Sequence, residues 1–395
     1  MRHLLKLVWN RKRANALIVA EIFISFLVIF GVLAGTLTYG TRWREPIGFA
    51  WRDVWDVKMD FDADGPQKPT PEMYGTMFRL LDEVRALPNV AAAGVSSTPA
   101  YSFSTSEGAR TINGRDVTFK FDDVTDGFAD AMQLKVIRGR WFSAEDDASP
   151  NWPVVLAADA ARAIYGDADP IGQKMEEGED TILQVVGVVE TYRKNGEVSG
   201  DDQMMFRRIS PNGRFGRLGG HIMVRVRPGT PAVFEQQLVT RLQQVAPDTS
   251  FRVRHMDQMR TNVLRMRLTP LIAGVVVGSF LIAMVGLGLT GVLWQSVTRR
   301  TREIGLRRAM GASGPRVRGQ ILLEVGLLAT LAVILGSIVI LQLPILGAFK
   351  IVTPAAFTLG FLGALATIYA LTILCGLYPS WLASRLQPAD ALRYE

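Results

Sequence analysis

Residues 269–298 read TPLIAGVVVGSFLIAMVGLGLTGVLWQSVT, thirty positions without a charged side chain. About 20 helical residues cross a bilayer core of about 30 Å, so this stretch is long enough to span. Working outward, three more runs share its character. Residues 351–384 carry no charge in 34 positions, residues 14–39 carry only Glu21, and residues 319–349 carry only Glu324. Four such runs exclude a single water-soluble domain.

The charges set the expected orientation. The 395-residue chain has a formal charge of +7. Fourteen Lys and Arg residues fall in three short segments, five in 1–13, seven in 299–318 and two in 385–395, against the acids Glu303, Asp390 and Glu395. Residues 40–268 hold 29 basic and 32 acidic side chains. Lys and Arg beside membrane helices collect on the cytoplasmic side. The expected fold is a membrane protein with a four-helix transmembrane domain and an α+β extracytoplasmic domain inserted between helices 1 and 2. Its parts are a cytoplasmic amphipathic segment 1–13, helix 1 over 14–39, and an outer domain 40–268 whose residues 255–268 form a stalk. Helix 2 follows over 269–298, then a cytoplasmic loop 299–318, helix 3 over 319–349, helix 4 over 351–384 and a cytoplasmic tail 385–395. Both termini are cytoplasmic. The basic excess is a topology signal, so membrane lipids are expected partners and nucleic acid is not.

The first run exceeds a signal-peptide core and lacks a small-x-small cleavage site, so it reads as a retained helix. Cys375 is the one cysteine and lies in the fourth run, so neither an internal disulfide nor a cysteine metal site is expected.

Within 40–268, Pro66, Pro69 and Pro71 mark a linker. Met73, Met77, Leu80, Leu81, Val84 and Leu87 then recur at helical spacing, and residues 231–245 form a second amphipathic helix. Strands are expected at 90–97, 136–137, 154–156, 182–189, 204–209 and 222–226. Asn113-Gly114 between two β-rich stretches marks a hairpin. Residues 255–267 read as a helix running into helix 2. The glycine-rich residues 212–220 read as a mobile loop.

Few motifs carry chemistry. Gly286, Gly288 and Gly291 match GxGxxG, but a dinucleotide site needs that pattern between a strand and a helix. Here it lies inside a span, where small residues serve close helix approach. Gly31 with Gly35 and Gly274 with Gly278 are further small-xxx-small pairs. No phosphate-binding GxxxxGK[ST] occurs. His3, His221 and His255 are scattered. No catalytic, cofactor-binding or metal residue is therefore expected in this chain. Glu21 and Glu324 sit towards the basic ends of their spans; the readings for both are an intramembrane coupling contact between helices, or snorkelling to the interface or a neighbouring arginine, and coupling is the expected role.

The sequence of residues 299–313, RRTREIGLRRAMGAS, is the most informative. Glu303 and Arg307 pair at i,i+4 in the favourable order. Leu306, Ala309 and Met310 form a small apolar ridge, and Gly311 suits a helix C-terminus. A topogenic loop needs arginines but no such ridge, so a docking knob for a cytoplasmic partner is expected. Its residues are Arg302, Glu303, Ile304, Gly305, Leu306, Arg307, Ala309, Met310 and Gly311.

Residues 302–312 resemble the coupling-helix signature of MacB/FtsX-type ABC transporter permeases. Gln320 and Glu324 are similar to the start of that family's next helix. The ending from Tyr378 and Pro379 to Arg393 resembles its closing pattern. Residues 127–142, Asp169-Pro170-Ile171-Gly172 and residues 185–189 are similar to the MacB-type core domain. The resemblance implies a non-catalytic permease subunit of the inner membrane, with a periplasmic core domain of two subdomains. It implies a second permease chain, the same or a sister, and a separate ABC ATPase that binds ATP and Mg. Possible further partners are a periplasmic adaptor and an outer-membrane channel. The implied action is mechanotransmission that drives efflux of an amphiphilic substrate. The alternatives are an FtsX-like relay that activates a periplasmic cell-wall hydrolase, or a lipoprotein-extraction permease.

Overall fold

A computed structural model describes residues 12–61, 69–112, 115–177, 181–200, 202–299, 301, 306, 310, 313–347 and 352–385. In chain order its elements begin with α1 (Lys12–Arg42), β1 (Val54–Asp60), α2 (Pro71–Arg85), β2 (Val90–Ser96), β3 (Ser106–Ile112), β4 (Arg115–Val124) and α3 (Phe128–Met132). There follow β5 (Val136–Gly139), β6 (Trp152–Ala157), α4 (Ala158–Tyr165), β7 (Lys174–Glu177), β8 (Thr181–Val189), β9 (Met204–Arg208) and β10 (His221–Val226). The last are α5 (Val233–Val245), β11 (Ser250–His255), α6 (Met256–Arg299), α7 (Gly314–Gln342) and α8 (Pro354–Arg385). Two units emerge: Met1–Thr41 with Leu268–Glu395, and Arg42–Arg267.

The first unit contains stretches of α1, α6, α7 and α8, each long and apolar enough to cross a membrane. Phe26 and Phe30 of α1 meet Phe361 and Phe357 of α8 edge to face, with ring centroids 5.9 and 5.1 Å apart. Small residues let backbones approach. A Cβ on Gly274 would stand 3.0 Å from Val32, and one on Gly35 would stand 3.1 Å from Leu271. Three of the four paired glycines, Gly35, Gly274 and Gly278, thus lie where α1 meets α6, while Gly31 faces open space.

The second unit is one 11-stranded sheet ordered β11-β1-β10-β2-β4-β9-β6-β8-β5, with β3 added to β4 and β7 to β8. The β4–β9 and β6–β8 pairs are parallel and the rest antiparallel. Side chains alternate across a strand. On β1, Trp55, Val57 and Met59 therefore face one side, where Met77, Leu80 and Leu81 of α2 and Phe234, Leu238 and Leu242 of α5 cover them. Thr70 caps α2 by accepting from Met73 N at 3.4 Å, with Pro71 at the first turn. At the other end of the sheet, α4 packs Ala160 and Ile164 on Val154, Leu156, Val185 and Met205.

Between these halves the ladder narrows to one pair, Ser96 with Val124. Side chains carry the seam there. Buried Asp122 accepts from Ser96 Oγ at 2.6 Å, Ser97 N at 3.0 Å, Ser97 Oγ at 2.9 Å and Thr98 N at 2.8 Å. Thr125 Oγ1 accepts from Val95 N at 2.8 Å.

The structure departs from the sequence reading in several places. Strands β1, β7 and β11 and helices α3 and α4 lie where no element was expected. His255 ends β11, and the helix begins at Met256. Residues 212–220 are anchored rather than loose. Phe215 is buried and stacks on Trp152 at 5.9 Å, Gly216 O accepts from Tyr74 Oη at 2.9 Å, and Arg217 Nε donates to Asp123 at 3.0 Å. Residues 1–11, Pro66, the hairpin tip Asn113-Gly114, Lys350 and the tail beyond Arg385 lie outside the described residues.

Candidate functional site

The expected docking segment lies between α6 and α7. Ser313 occupies the N-cap position of α7 without a side-chain cap bond, and Pro315 stands in the first turn. Arg302, Glu303, Ile304, Gly305, Arg307, Ala309 and Gly311 lie outside the described residues. Leu306 and Met310 are described. Met310 N donates to Leu306 O at 3.0 Å. That bond closes one helical turn and puts both side chains on one face. Both are exposed, by 53% and 74%. At the foot of the loop, buried Val317 packs on Val297 and Ile321, tying the end of α6 to the start of α7. An apolar pair so presented, in a segment whose sequence is rich in arginine, can enter a groove on another protein.

The two intramembrane carboxylates lie on different helices. Glu21 is half-buried on α1 against Gly288 of α6, where a Cβ would stand 2.9 Å from Oε2. The GxGxxG match is thus a packing feature. Gly286 lies beside Cys375, a Cβ there being 3.6 Å from Sγ, and Gly288 beside Glu21. Glu324 is half-buried on α7. A groove of about 610 Å³ runs between α1 and α7, lined by Val19, Phe23, Leu331, Leu335 and Ile338 among others. It offers alkyl contact and no ionisable group.

The sheet unit holds polar chemistry that the sequence reading does not anticipate. Asp56 is buried and bonded to His221 Nδ1 at 2.8 Å and to the Arg254 guanidinium. His255 Nε2 lies 3.2 Å from Glu235. Lys194 is 1% exposed, and burial pulls its amine down to about 8. Burial pushes the Asp122 carboxyl up, against the hydrogen bonds from Ser96, Ser97 and Thr98. Among the described residues, no three His, Cys, Asp or Glu side chains cluster as metal ligands.

The family model of the MacB-like periplasmic core domain matches residues 23–241, and that of the FtsX-like permease C-terminal domain matches residues 275–388. These are the parts of a membrane permease with a large inserted domain. The chain belongs to the MacB/FtsX-like family of ABC transporter permeases and is a multi-pass membrane protein. The macrolide export ATP-binding/permease protein MacB of Marinobacter nauticus is 28% identical over 302 residues, covering 73% of this chain and 46% of that protein. MacB of Bdellovibrio bacteriovorus is 28% identical over 338 residues, covering 81% and 50%. The chain spans about half the length of these curated relatives. The solved periplasmic region of MacB from Actinobacillus actinomycetemcomitans is 17% identical, with 56% of this chain and 97% of that structure covered and a TM-score of 0.40.

Proposed function

We propose that this chain is the non-catalytic permease subunit of an ABC transporter that turns ATP hydrolysis on a separate ATPase into movement of its inserted domain. The observation that carries this reading is the exposed pair Leu306 and Met310 on the Arg-rich loop between α6 and α7. ATP and Mg are held by the partner, and residues 302–311 dock on it at the cytoplasmic face of the inner membrane. Glu21 and Glu324 couple the loop to helix movement. A second permease chain, identical or a sister, covers α6. What supports this is that the smallest share of buried residues in the spans falls on α6, 11%, against 22% for α8, 33% for α1 and 39% for α7. The work drives efflux of an amphiphilic substrate, with a periplasmic adaptor and outer-membrane channel as further partners. The test is co-purification of the full chain with its ATPase. Leu306→Asp with Met310→Asp lowers ATPase recovery at least about tenfold, since two apolar anchors at about 1–2 kcal/mol each are lost. Unchanged recovery overturns the docking assignment.

The match of residues 275–388 to the FtsX-like permease model supports a second reading, a relay to a periplasmic cell-wall hydrolase. Capture of a hydrolase by the intact chain, with no export of amphiphiles from proteoliposomes, would favour it.

A further inference from the structure

Glu21 carries a carboxylate inside the first span, and that carboxylate rests on α6. A Cβ on Gly288 would stand 2.9 Å from its Oε2 and 3.7 Å from its Oε1. The middle of the uncharged run 269–298 falls between Ala283 and Met284. Gly288 lies four to five residues beyond it, about 7 Å at a rise of 1.5 Å per residue. Half the bilayer core is about 15 Å, so the carboxylate lies within hydrocarbon and not at the interface. An ionisable group at that depth calls for a partner.

Among the described residues, no hydrogen bond or ion pair reaches Glu21. Ser25 follows one turn later on the same face of α1. It is fully buried and its Oγ has no partner, so it does not bond Glu21. Thr290 of α6 donates its hydroxyl to Gly286 O at 2.7 Å. The runs 14–39, 269–298, 319–349 and 351–384 contain no Lys, Arg or His. A second, identical chain over α6 brings the same runs and no cation. Headgroups of resident lipid lie outside the hydrocarbon core. The counter-charge therefore has to arrive with a guest inside the bilayer. The flanks of the carboxylate suit an apolar guest. Leu17 and Ile24 stand four residues before and three after Glu21, Met284 stands one turn before Gly288, and all three are exposed.

We propose that Glu21 binds the protonated amine of an amphiphile held where α1 meets α6, so that the cargo of this permease is a cationic amphiphile. The ammonium donates to the carboxylate, and Leu17, Ile24 and Met284 give the apolar body alkyl contact. Low dielectric around the pair strengthens their attraction. That this guest is cargo rests on the export reading, whereas the affinity for an amine does not.

The test is native mass spectrometry of the full chain, without an ATPase, in maltoside micelles with dodecylamine or dodecanol at neutral pH. The wild type retains the amine at least about tenfold better than the alcohol, as one charge-assisted hydrogen bond implies. Glu21→Gln, which is nearly isosteric, loses that preference and still retains dodecanol, which shows that its spans are intact. Equal retention of amine and alcohol by the wild type overturns the proposal. So does a preference that survives in Glu21→Gln, which would leave Glu21 with a proton rather than a guest. Displacement of dodecylamine by phosphatidylethanolamine at equal concentration also overturns it, since the site would then belong to membrane lipid. The two readings fail separately. An amine preference that persists where Leu306→Asp with Met310→Asp leaves ATPase recovery unchanged upholds this site and removes the docking assignment. Its absence from a chain that does recover the ATPase removes this site alone.

Discussion

Glu21 of α1 rests its carboxylate against Gly288 of α6, at a point where any larger residue would meet Oε2 at 2.9 Å. A carboxylate in an apolar span is costly, and this one lies in the space that a side chain at position 288 would enter. Because the obstacle is the far end of a flexible side chain, Gly288→Ala should be tolerated. Gly288→Val should cost about 1–3 kcal/mol by overpacking. Glu21→Ala should return at least half of that, a coupling of about 0.5–3 kcal/mol for residues in contact. Thermal unfolding of the four variants in detergent measures it. Strictly additive shifts would show that the two residues do not share the space.

Asp122 holds the narrow seam of the sheet. It collects two hydroxyl and two backbone donors from Ser96, Ser97 and Thr98, where the ladder offers only the Ser96–Val124 pair. Asp122→Ala strands those buried donors and should lower stability by about 1–3 kcal/mol. Asp122→Asn keeps the shape and an acceptor, and should cost less. Limited proteolysis between residues 97 and 122, compared across both variants, reports whether the seam opens. Equal protection of the alanine and asparagine forms would count against the seam.

Much of this architecture is legible in the sequence. The four spans follow from long runs with at most one charge, and α2 and α5 from helical spacing. Strands β1 and β11 carry a signal too, since Trp55, Val57 and Met59 alternate with Asp56, Lys58 and Asp60, and Phe251 and Val253 with Arg252 and Arg254. That alternation is disguised by charge on both strands. The charge of Asp56 is buried and answered by His221 of β10 and Arg254 of β11, which lie 165 and 198 residues away. No local window contains such a match. The same holds for residues 212–220, whose glycines read as a loose loop. Their anchors, Tyr74, Asp123 and Trp152, come from three other elements.

Lys194 gives the inserted domain a stability term that depends on pH. Its Nζ donates to Ser104 O at 2.5 Å in a buried site, and burial lowers the amine from 10.5 to about 8, against the pull of Asp122 and Asp202. The folded state holds this proton less tightly than the unfolded chain. Between about 8 and 10.5 the unfolded state therefore binds more protons, and stability rises with pH through that window. Below 8 the penalty of a buried cation is constant. The unfolding midpoint of wild type should gain on that of Lys194→Gln as pH climbs through this window. A flat difference curve would show that Lys194 does not titrate there.

Arg207 on β9 lies between two aromatic faces, 3.8 Å from the Phe121 centroid and 4.5 Å from that of Trp152. Its Nε and NH2 reach Asp123 at 2.6 and 2.9 Å, and Asp123 is fully buried. Three strands, β4, β6 and β9, meet in this one side chain. Arg207→Ala leaves a buried carboxylate to Arg217 alone and should cost about 3–5 kcal/mol. Arg207→Lys keeps the charge but loses the planar fork and the stacking, so it should recover only part. Removing Asp123 as well abolishes the unpaired charge. The Arg207→Ala/Asp123→Ala protein should therefore lose less than the sum of the single losses in thermal unfolding. A loss equal to that sum would mean that stacking on Phe121 and Trp152, rather than the ion pair, holds the three strands together.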